Sequence, residues 1–431
     1  MNAQVFQGDA LHLAGSLASD SIDAVITDPP YGLKFMGKDW DHGIPGQPFW
    51  EEFLRTMKPG AHLLAFGGTR THHRLMVAIE DAGFEIRDCL MWLYGSGFPK
   101  SLDVSKAIDK AAGAEREVVG PSTRHGGGND NLYDYGKGLQ TMGNGVVPDI
   151  TAPATELAQQ WDGWGTALKP AWEPIILARK PLIGTVAANV TAHGTGALNI
   201  DGCRIGTTPD ERDAMRKQSE SFAGKRWGDT HFNYGYESSM PVKTVSEPHA
   251  QGRWPANVIL DEDAATMLDE MSGTSKSTKG KPRRSQAPGD GYGMTHTGAE
   301  YNDIGGASRF FYTAKASRSE RNKGLEGMPE RGGGCLEGNA DTDNARKIGA
   351  NPDRPVATTQ NHHPTVKPIA LMRWLCRLVT PPGGTILDPF NGSGSTGCAA
   401  VLEGFRYLGF ELDQDFVDIS IRRIDHWTPA S

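Results

Sequence analysis

The chain has 431 residues, 38% of them hydrophobic and 22% charged, with a net charge of −8. That length accommodates a full α/β core with a second lobe, and no apolar run reaches the roughly 18 residues that a membrane-spanning helix needs. Five cysteines (Cys89, Cys203, Cys335, Cys376, Cys398) lack any Cys-x-x-Cys spacing, which argues against a disulfide framework or a zinc site and for a reduced, cytoplasmic protein.

The N-terminal residues enter a strand-like pattern directly, without a signal peptide. Val5–Ala10 reads as a strand ending in Gly8-Asp9, and Ile22–Thr27 as a buried parallel strand running into Asp28-Pro29-Pro30-Tyr31. Asp9 is equally readable as the N-cap of a helix that begins at Ala10. Apolar spacing predicts a helix over Pro48–Met57, stopped by Lys58-Pro59-Gly60, then a strand over Ala61–Phe66, a helix over Leu75–Ala82 and a strand over Phe84–Tyr94. Such alternation of strand and helix implies a doubly wound, mostly parallel sheet, with ligands at the carboxyl ends of its strands. His72-His73 are adjacent, point in different directions and have no acidic partner at helical spacing, so they make a poor metal site.

Residues 113–163 are crowded with glycine and polar side chains and show little apolar periodicity, which predicts a mobile loop, either a candidate lid over a polymeric substrate or a disordered surface insertion. Residues 164–182 return to a core strand at Trp172–Lys180. Residues 183–360 hold short strand candidates, including Ala197–Ile200 and Pro255–Leu260, between Gly- and Pro-rich turns. Two basic clusters fall here: Lys276, Lys279, Lys281, Arg283 and Arg284, and then Lys315, Arg318, Arg321 and Lys323. The acidic total opposes a polyanionic partner, but clustered cations are what phosphate contacts use. Arg309-Phe310-Phe311-Tyr312 reads as core, with stacking near a nucleic acid as the alternative.

In residues 361–431, Thr385-Ile386-Leu387 forms a strand that ends at Asp388-Pro389-Phe390-Asn391. Glycines 392, 394 and 397 then reproduce Gly-x-Gly-x-x-Gly before a helix starting near Thr396. A second strand, Arg406–Phe410, ends in Glu411, at the distance where an acid accepts hydrogen bonds from both ribose hydroxyls in nucleoside-binding βαβ units.

Asp28-Pro29-Pro30-Tyr31, His363-Pro364-Thr365-Val366-Lys367-Pro368 and Asp388–Gly397 together resemble the S-adenosylmethionine-dependent DNA amino-methyltransferases of the β order. In that group the catalytic motif precedes the cofactor motif. The resemblance covers roughly residues 1–110 and 360–431. It implies a Rossmann-like methyltransferase fold of permuted motif order, with the catalytic half of the core at 1–112, the cofactor-binding half at 361–431 and a target-recognition region at 183–360. Asp28 and the Pro29 carbonyl would hold an exocyclic amine, with Pro30 stiffening the turn and Tyr31 stacking on the base.

Cofactor contacts are implied at Asp9 and Ala10 for the adenine, at Thr365, Lys367 and Pro368 for the methionine end, and at Asp388, Pro389, Phe390, Gly392, Ser393, Gly394 and Thr396 around the glycine loop. Glu411 is assigned to the ribose and Lys367 to the methionine carboxylate. The basic residues Lys276, Lys279, Lys281, Arg283, Arg284, Arg318 and Arg321 are the candidate phosphate contacts. The resemblance further implies double-stranded DNA as substrate, base flipping, a homodimer, and N6-methyladenine as product, since Asp rather than Ser opens the catalytic motif. N4-methylation of cytosine, a protein-glutamine or RNA amine methyltransferase, and a decayed DNA-binding module are the alternatives.

Overall fold

The computed structural model describes residues 3–32, 43–97, 101–120, 150–222, 247–276, 304–314, 318–332 and 358–429. Nine strands form one sheet: β1 (Ala3–Gln7), β2 (Ile22–Thr27), β3 (Met57–Phe66), β4 (Glu85–Leu93), β5 (Trp172–Arg179), β6 (Val258–Asp261), β7 (Tyr312–Ala314), β8 (Thr385–Asp388) and β9 (Arg406–Glu411). Their spatial order is β1-β9-β8-β2-β3-β5-β4-β6-β7. All neighbours are parallel except β5, which runs antiparallel to β3 and to β4.

Side chains alternate across the strands, as a sheet covered on both faces requires. Ala24, Ile26, Leu64, Phe66, Ile175 and Leu177 pack on one face, and Val25, Leu63, Ala65, Ile176 and Ala178 on the other. The second face is covered by α1 (Ala10–Ala14), α2 (Gln47–Thr56) and α3 (His72–Asp81). The first is covered from the C-terminal part of the chain. There α7 (Ile369–Val379), α8 (Ser395–Leu402) and α9 (Gln414–Trp427) follow α4 (Val104–Ala112), α5 (Val186–His193) and α6 (Glu262–Ser272) in the sequence.

Strands from the two ends of the chain meet at the centre, where β8 pairs with β2. From β8 the chain crosses by α8 to β9, and from β2 by α2 to β3, on opposite faces and in opposite directions. The crevice between the ends of β8 and β2 is therefore a topological switch point, where open α/β sheets bind ligands.

Three departures from the sequence reading have local causes. The helix before Lys58-Pro59-Gly60 ends at Thr56 as expected, but these three residues already belong to β3, which starts at Met57 rather than Ala61, and the register against β2 jumps between Ile22 and Ala24. The extra residues are accommodated because Asn189 Nδ2 and Thr195 Oγ1 both donate to the Pro59 carbonyl, at 2.9 and 2.5 Å, while Gly60 takes φ +77°.

Residues 113–163, read as a loop, are structured at both ends. Val118–Gly120 pairs with Ile150–Thr151, and a helical turn forms at Glu156–Gln160. The fully buried Asp109 ties these ends together, accepting from Ala154 N, Thr155 N, Thr155 Oγ1 and Arg116 Nη1 at 2.7–3.0 Å. Residues 183–360 add β6 and β7 to the edge of the same sheet, whereas Ala197–Ile200 forms no strand and is held by Asn199 N donating to Leu378 O. No helix among the described residues is long and apolar enough to cross a membrane.

Candidate active site

At the switch point the two chain ends are joined by side chains. Thr27, the last residue of β2, donates through Oγ1 to Asp388 Oδ1 at 2.8 Å, and Thr396 Oγ1 donates to Asp388 Oδ2 at 2.6 Å. Phe390 N adds a third bond to the carboxylate. Burial pushes the Asp388 carboxyl up to about 7 despite these donors. Asp388 thus welds β2, β8 and α8 together under the site.

A cavity of about 570 Å³ opens above this weld, within the range of small-molecule sites. One wall is the glycine loop after β8, with Gly392 at φ +51° and Gly394 at φ +76°. A Cβ on Gly392 would stand 2.8 Å from His363 Nε2, and one on Gly394 the same distance from Ser420 Cβ. Beneath the loop, the fully buried Arg423 donates to the Ser393 carbonyl and hydroxyl.

Glu411, at the end of β9, accepts from Gly392 N at 2.7 Å and Asp413 N at 3.0 Å and still borders the cavity. Its burial raises its pKa. Asp9 both caps α1, accepting from His12 N at 3.0 Å, and lines the cavity with Ala10. Phe390 stacks on Phe49 of α2 with ring centroids 5.1 Å apart, which makes an apolar side wall. Pro389, Ser393, Thr365 and Thr396 are also at the lining. Pro368 and Gly394 are not; they stand at the N-caps of α7 and α8.

The Asp28 end of the cavity holds a closed polar network. Tyr31 OH donates to Asp28 Oδ1 at 2.6 Å, while Lys367 Nζ lies 2.9 Å from Asp28 Oδ2 and 3.0 Å from Glu173 Oε2. The Tyr31 hydroxyl is also 3.4 Å from Glu173 Oε2 and 3.3 Å from Lys367 Nζ. Lys367 is 7% exposed, and its ammonium sits 4.8 Å from the centre of the Phe66 ring. Burial opposes its charge, but Asp28 and Glu173 outweigh burial and raise its pKa. Burial and the same two carboxylates push the Tyr31 phenol well up. Lys367, expected to meet a methionine carboxylate, is thus ion-paired to Asp28, because the turn into α7 passes beside the end of β2.

Glu173 was not among the expected site residues. It stands near the start of β5, the antiparallel strand, whose direction brings its N-terminal residues to the site edge of the sheet. The hint in the sequence is an acid flanked by Trp172 and Pro174 at the mouth of an otherwise apolar strand. His363, inside a recognised motif but given no role, lines the cavity with its ring edge-on to Phe416, and burial lowers its pKa to about 4.

The basic residues behave differently from one another. Arg321 donates to the carbonyls of Asn361 and His363, clamping the segment that leads to Lys367; this gives its guanidinium a positioning job in place of the expected phosphate contact. Lys279, Lys281, Arg283 and Arg284 lie outside the described residues, as do the side chains of Lys276 and Arg318. Phe310 is 43% exposed, with the guanidinium carbons of Arg309 and Arg253 at 4.4 and 4.9 Å from its ring centre, so it is not core. The His72 ring packs edge-on to Trp172.

The profile of the N6/N4 DNA methylase family matches residues 166–422, more than half of the chain, and the protein belongs to that family. The matched stretch holds Glu173, Lys367, Asp388 and Glu411; Asp28–Tyr31 precede it. Among curated proteins, the type II methyltransferase M2.MboI of Moraxella bovis is 44% identical over 72 residues, covering 17% of this chain and 26% of that protein. The DNA adenine methyltransferase YhdJ of Escherichia coli (strain K12) is 38% identical over 64 residues, 15% of this chain and 22% of that protein. The chain therefore matches only about a quarter of the length of these relatives. A crystal structure of M1.HpyAVI aligns with 98% of this chain and 98% of its own at 12% identity and a TM-score of 0.37.

Proposed function

We propose that the protein transfers a methyl group from S-adenosylmethionine to the exocyclic N6 amine of adenine in double-stranded DNA, with the base turned out of the duplex. The observation that carries this reading is one cavity bordered at one end by Glu411, Asp9 and the glycine loop and at the other by Asp28 and Tyr31. Membership of the DNA methylase family supports it.

The residues present fit the cofactor. The glycine loop allows close backbone approach, Glu411 has lone pairs left for ribose hydroxyls, and the Phe49–Phe390 wall suits an adenine. No phosphate group has to be matched. When bound, S-adenosylmethionine would supply an electrophilic methyl carbon.

An aromatic amine is a weak nucleophile because its lone pair is delocalised into the ring. Asp28 Oδ1 and the Pro29 carbonyl would each accept one N–H, which favours a pyramidal nitrogen and stabilises the transition state over the flat ground state. The amine must displace the Tyr31 hydroxyl from Oδ1, freeing the Tyr31 ring to cover the base. Flipping costs a few kcal/mol, on the order of an unstacked base pair.

Nucleoside mass spectrometry of duplex DNA incubated with the protein and S-adenosylmethionine tests this. N6-methyladenine is expected, and none with Asp28→Ala, while calorimetry shows Asp28→Ala still binding the cofactor. N4-methylcytosine alone would move the target to cytosine, and the absence of any methylated nucleoside would overturn the reading. A homodimer and a cytoplasmic location accompany the resemblance; light scattering checks the first.

A further inference from the structure

Two carboxylates and one ammonium meet at the Asp28 end of the cavity, together with the Tyr31 hydroxyl, which burial and both carboxylates keep protonated. Lys367 is almost equidistant from Asp28 and Glu173, at 2.9 and 3.0 Å. One carboxylate would suffice to neutralise it. The second gives this partly buried cluster one negative charge more than pairing the almost fully buried Lys367 requires.

We propose that Glu173 is a positioning residue for methyl transfer: it balances Lys367, so that Asp28 remains a carboxylate with charge to spare for the proton that the amine must release. This inference rests on the amino-methyltransferase reading above.

The chemistry sets the requirement. As the amine nitrogen takes the methyl group, its lone pair becomes the N–C bond and the C–S pair goes to sulfur. The nitrogen then carries a positive charge until one N–H proton leaves. Asp28 accepts that proton, later to pass it to water, and the Asp28–Lys367–Glu173 cluster goes from one net negative charge to neutral. Without Glu173 the same step would take the cluster from neutral to one net positive charge in a partly buried pocket, where charge interactions are stronger than in open water. Lys367 would also be without the ion pair that draws it away from Asp28, and would bind the acceptor oxygen more tightly.

Glu173 reaches the cluster only because β5 is antiparallel: a parallel strand in that place would present its N-terminal residues at the opposite edge. Its second contact, to the Tyr31 hydroxyl at 3.4 Å, gives that hydroxyl an acceptor when the amine claims Oδ1.

The test uses the full-length protein with duplex DNA at saturating S-adenosylmethionine, and compares Glu173→Gln, Glu173→Asp and Glu173→Gln/Lys367→Met. Glu173→Gln should lower kcat about a hundred-fold, the scale of a positioned proton acceptor, with KM for DNA and the melting temperature little changed. Glu173→Asp should recover part of the loss. The double variant should be faster than Glu173→Gln, because removing the ammonium abolishes the excess positive charge; a purely structural role predicts the reverse. Glu173→Gln with wild-type kcat, or a double variant slower than the single, would overturn the inference. If Glu173→Gln fails to fold, the Glu173→Asp kcat carries the test, and a value equal to wild type overturns it. A wild-type protein that methylates no DNA instead overturns the parent reading, so the two failures are distinguishable.

Discussion

Glu411 spends half of its acceptor capacity on the protein, holding Gly392 N and Asp413 N, and borders the cavity with the rest. Glu411→Ala removes a charge-assisted bond worth about 1.5–3 kcal/mol, so S-adenosylmethionine affinity should fall roughly ten- to a hundred-fold. Calorimetry reads this directly, and unchanged affinity would remove Glu411 from the cofactor. Asp388 bears on stability instead. Its carboxyl is pushed up to about 7 by burial, above the ordinary value of 3.8. Between about pH 4 and 7 the folded state therefore binds more protons than the unfolded state, and stability falls as pH rises through that window. Asp388→Asn should flatten that slope in thermal melts; an unaltered slope would mean that another group governs it. Residues whose chemistry is local, such as Asp28-Pro29-Pro30-Tyr31 and the Asp388 loop, were legible in the sequence. Glu173 was not, because its meaning depends on a lysine far along the chain and on a strand direction that no local pattern encodes.

Elements were legible where one periodicity ran unbroken. The strands ending at Thr27, Asp388 and Glu411 fell where apolar runs meet acids, and α2 where apolar residues share a face. The failures came where side chains distant in sequence settle the matter: Asn189 and Thr195 carry β3 through Pro59-Gly60, and Asp109 orders both ends of the stretch read as a loop. The glycines of the loop after β8 have two different uses. Gly392 and Gly394 have left-handed backbones, but Gly397 lies inside α8, where glycine ordinarily weakens a helix. There it permits close packing: a Cβ would stand 2.4 Å from Ile424 Cδ1 and 2.7 Å from Tyr407 Cε1. Tyr407 cannot yield, being buried with its hydroxyl bonded to Asn391 at 2.8 Å. Gly397→Ala should thus destabilise the protein by about 1–3 kcal/mol through overpacking despite the better helix former. Denaturant titration checks it, and a neutral or stabilising result would show that α8 and α9 can separate at no cost.

At the scale of the whole molecule, the proposed function raises the question of how an acidic chain would grip a polyanion. The net charge is −8, and five carboxylates line the cavity (Asp9, Asp28, Asp388, Glu411, Asp413) against one lysine, Lys367. That lining suits a cationic methyl donor and an amine, but repels phosphates. The cations nearest to it are engaged: Lys367 by Asp28 and Glu173, Arg321 by two backbone carbonyls, and Arg423 by Ser393. Phosphate contacts must then come from outside the cavity, and the densest supply in the sequence is Lys276, Lys279, Lys281, Arg283 and Arg284. Replacing these five by neutral residues should weaken binding to every duplex alike and reduce the slope of log affinity against log salt by about 0.9 for each phosphate that the protein no longer neutralises. The methylated base and its sequence context should not change, because phosphate contacts carry no sequence information. Fluorescence anisotropy across a salt series on two unrelated duplexes decides it. An identical slope would make the cluster an ordinary solvated segment and pass the role to other cations of the 183–360 region, while a slope change on one duplex alone would indicate base contacts instead.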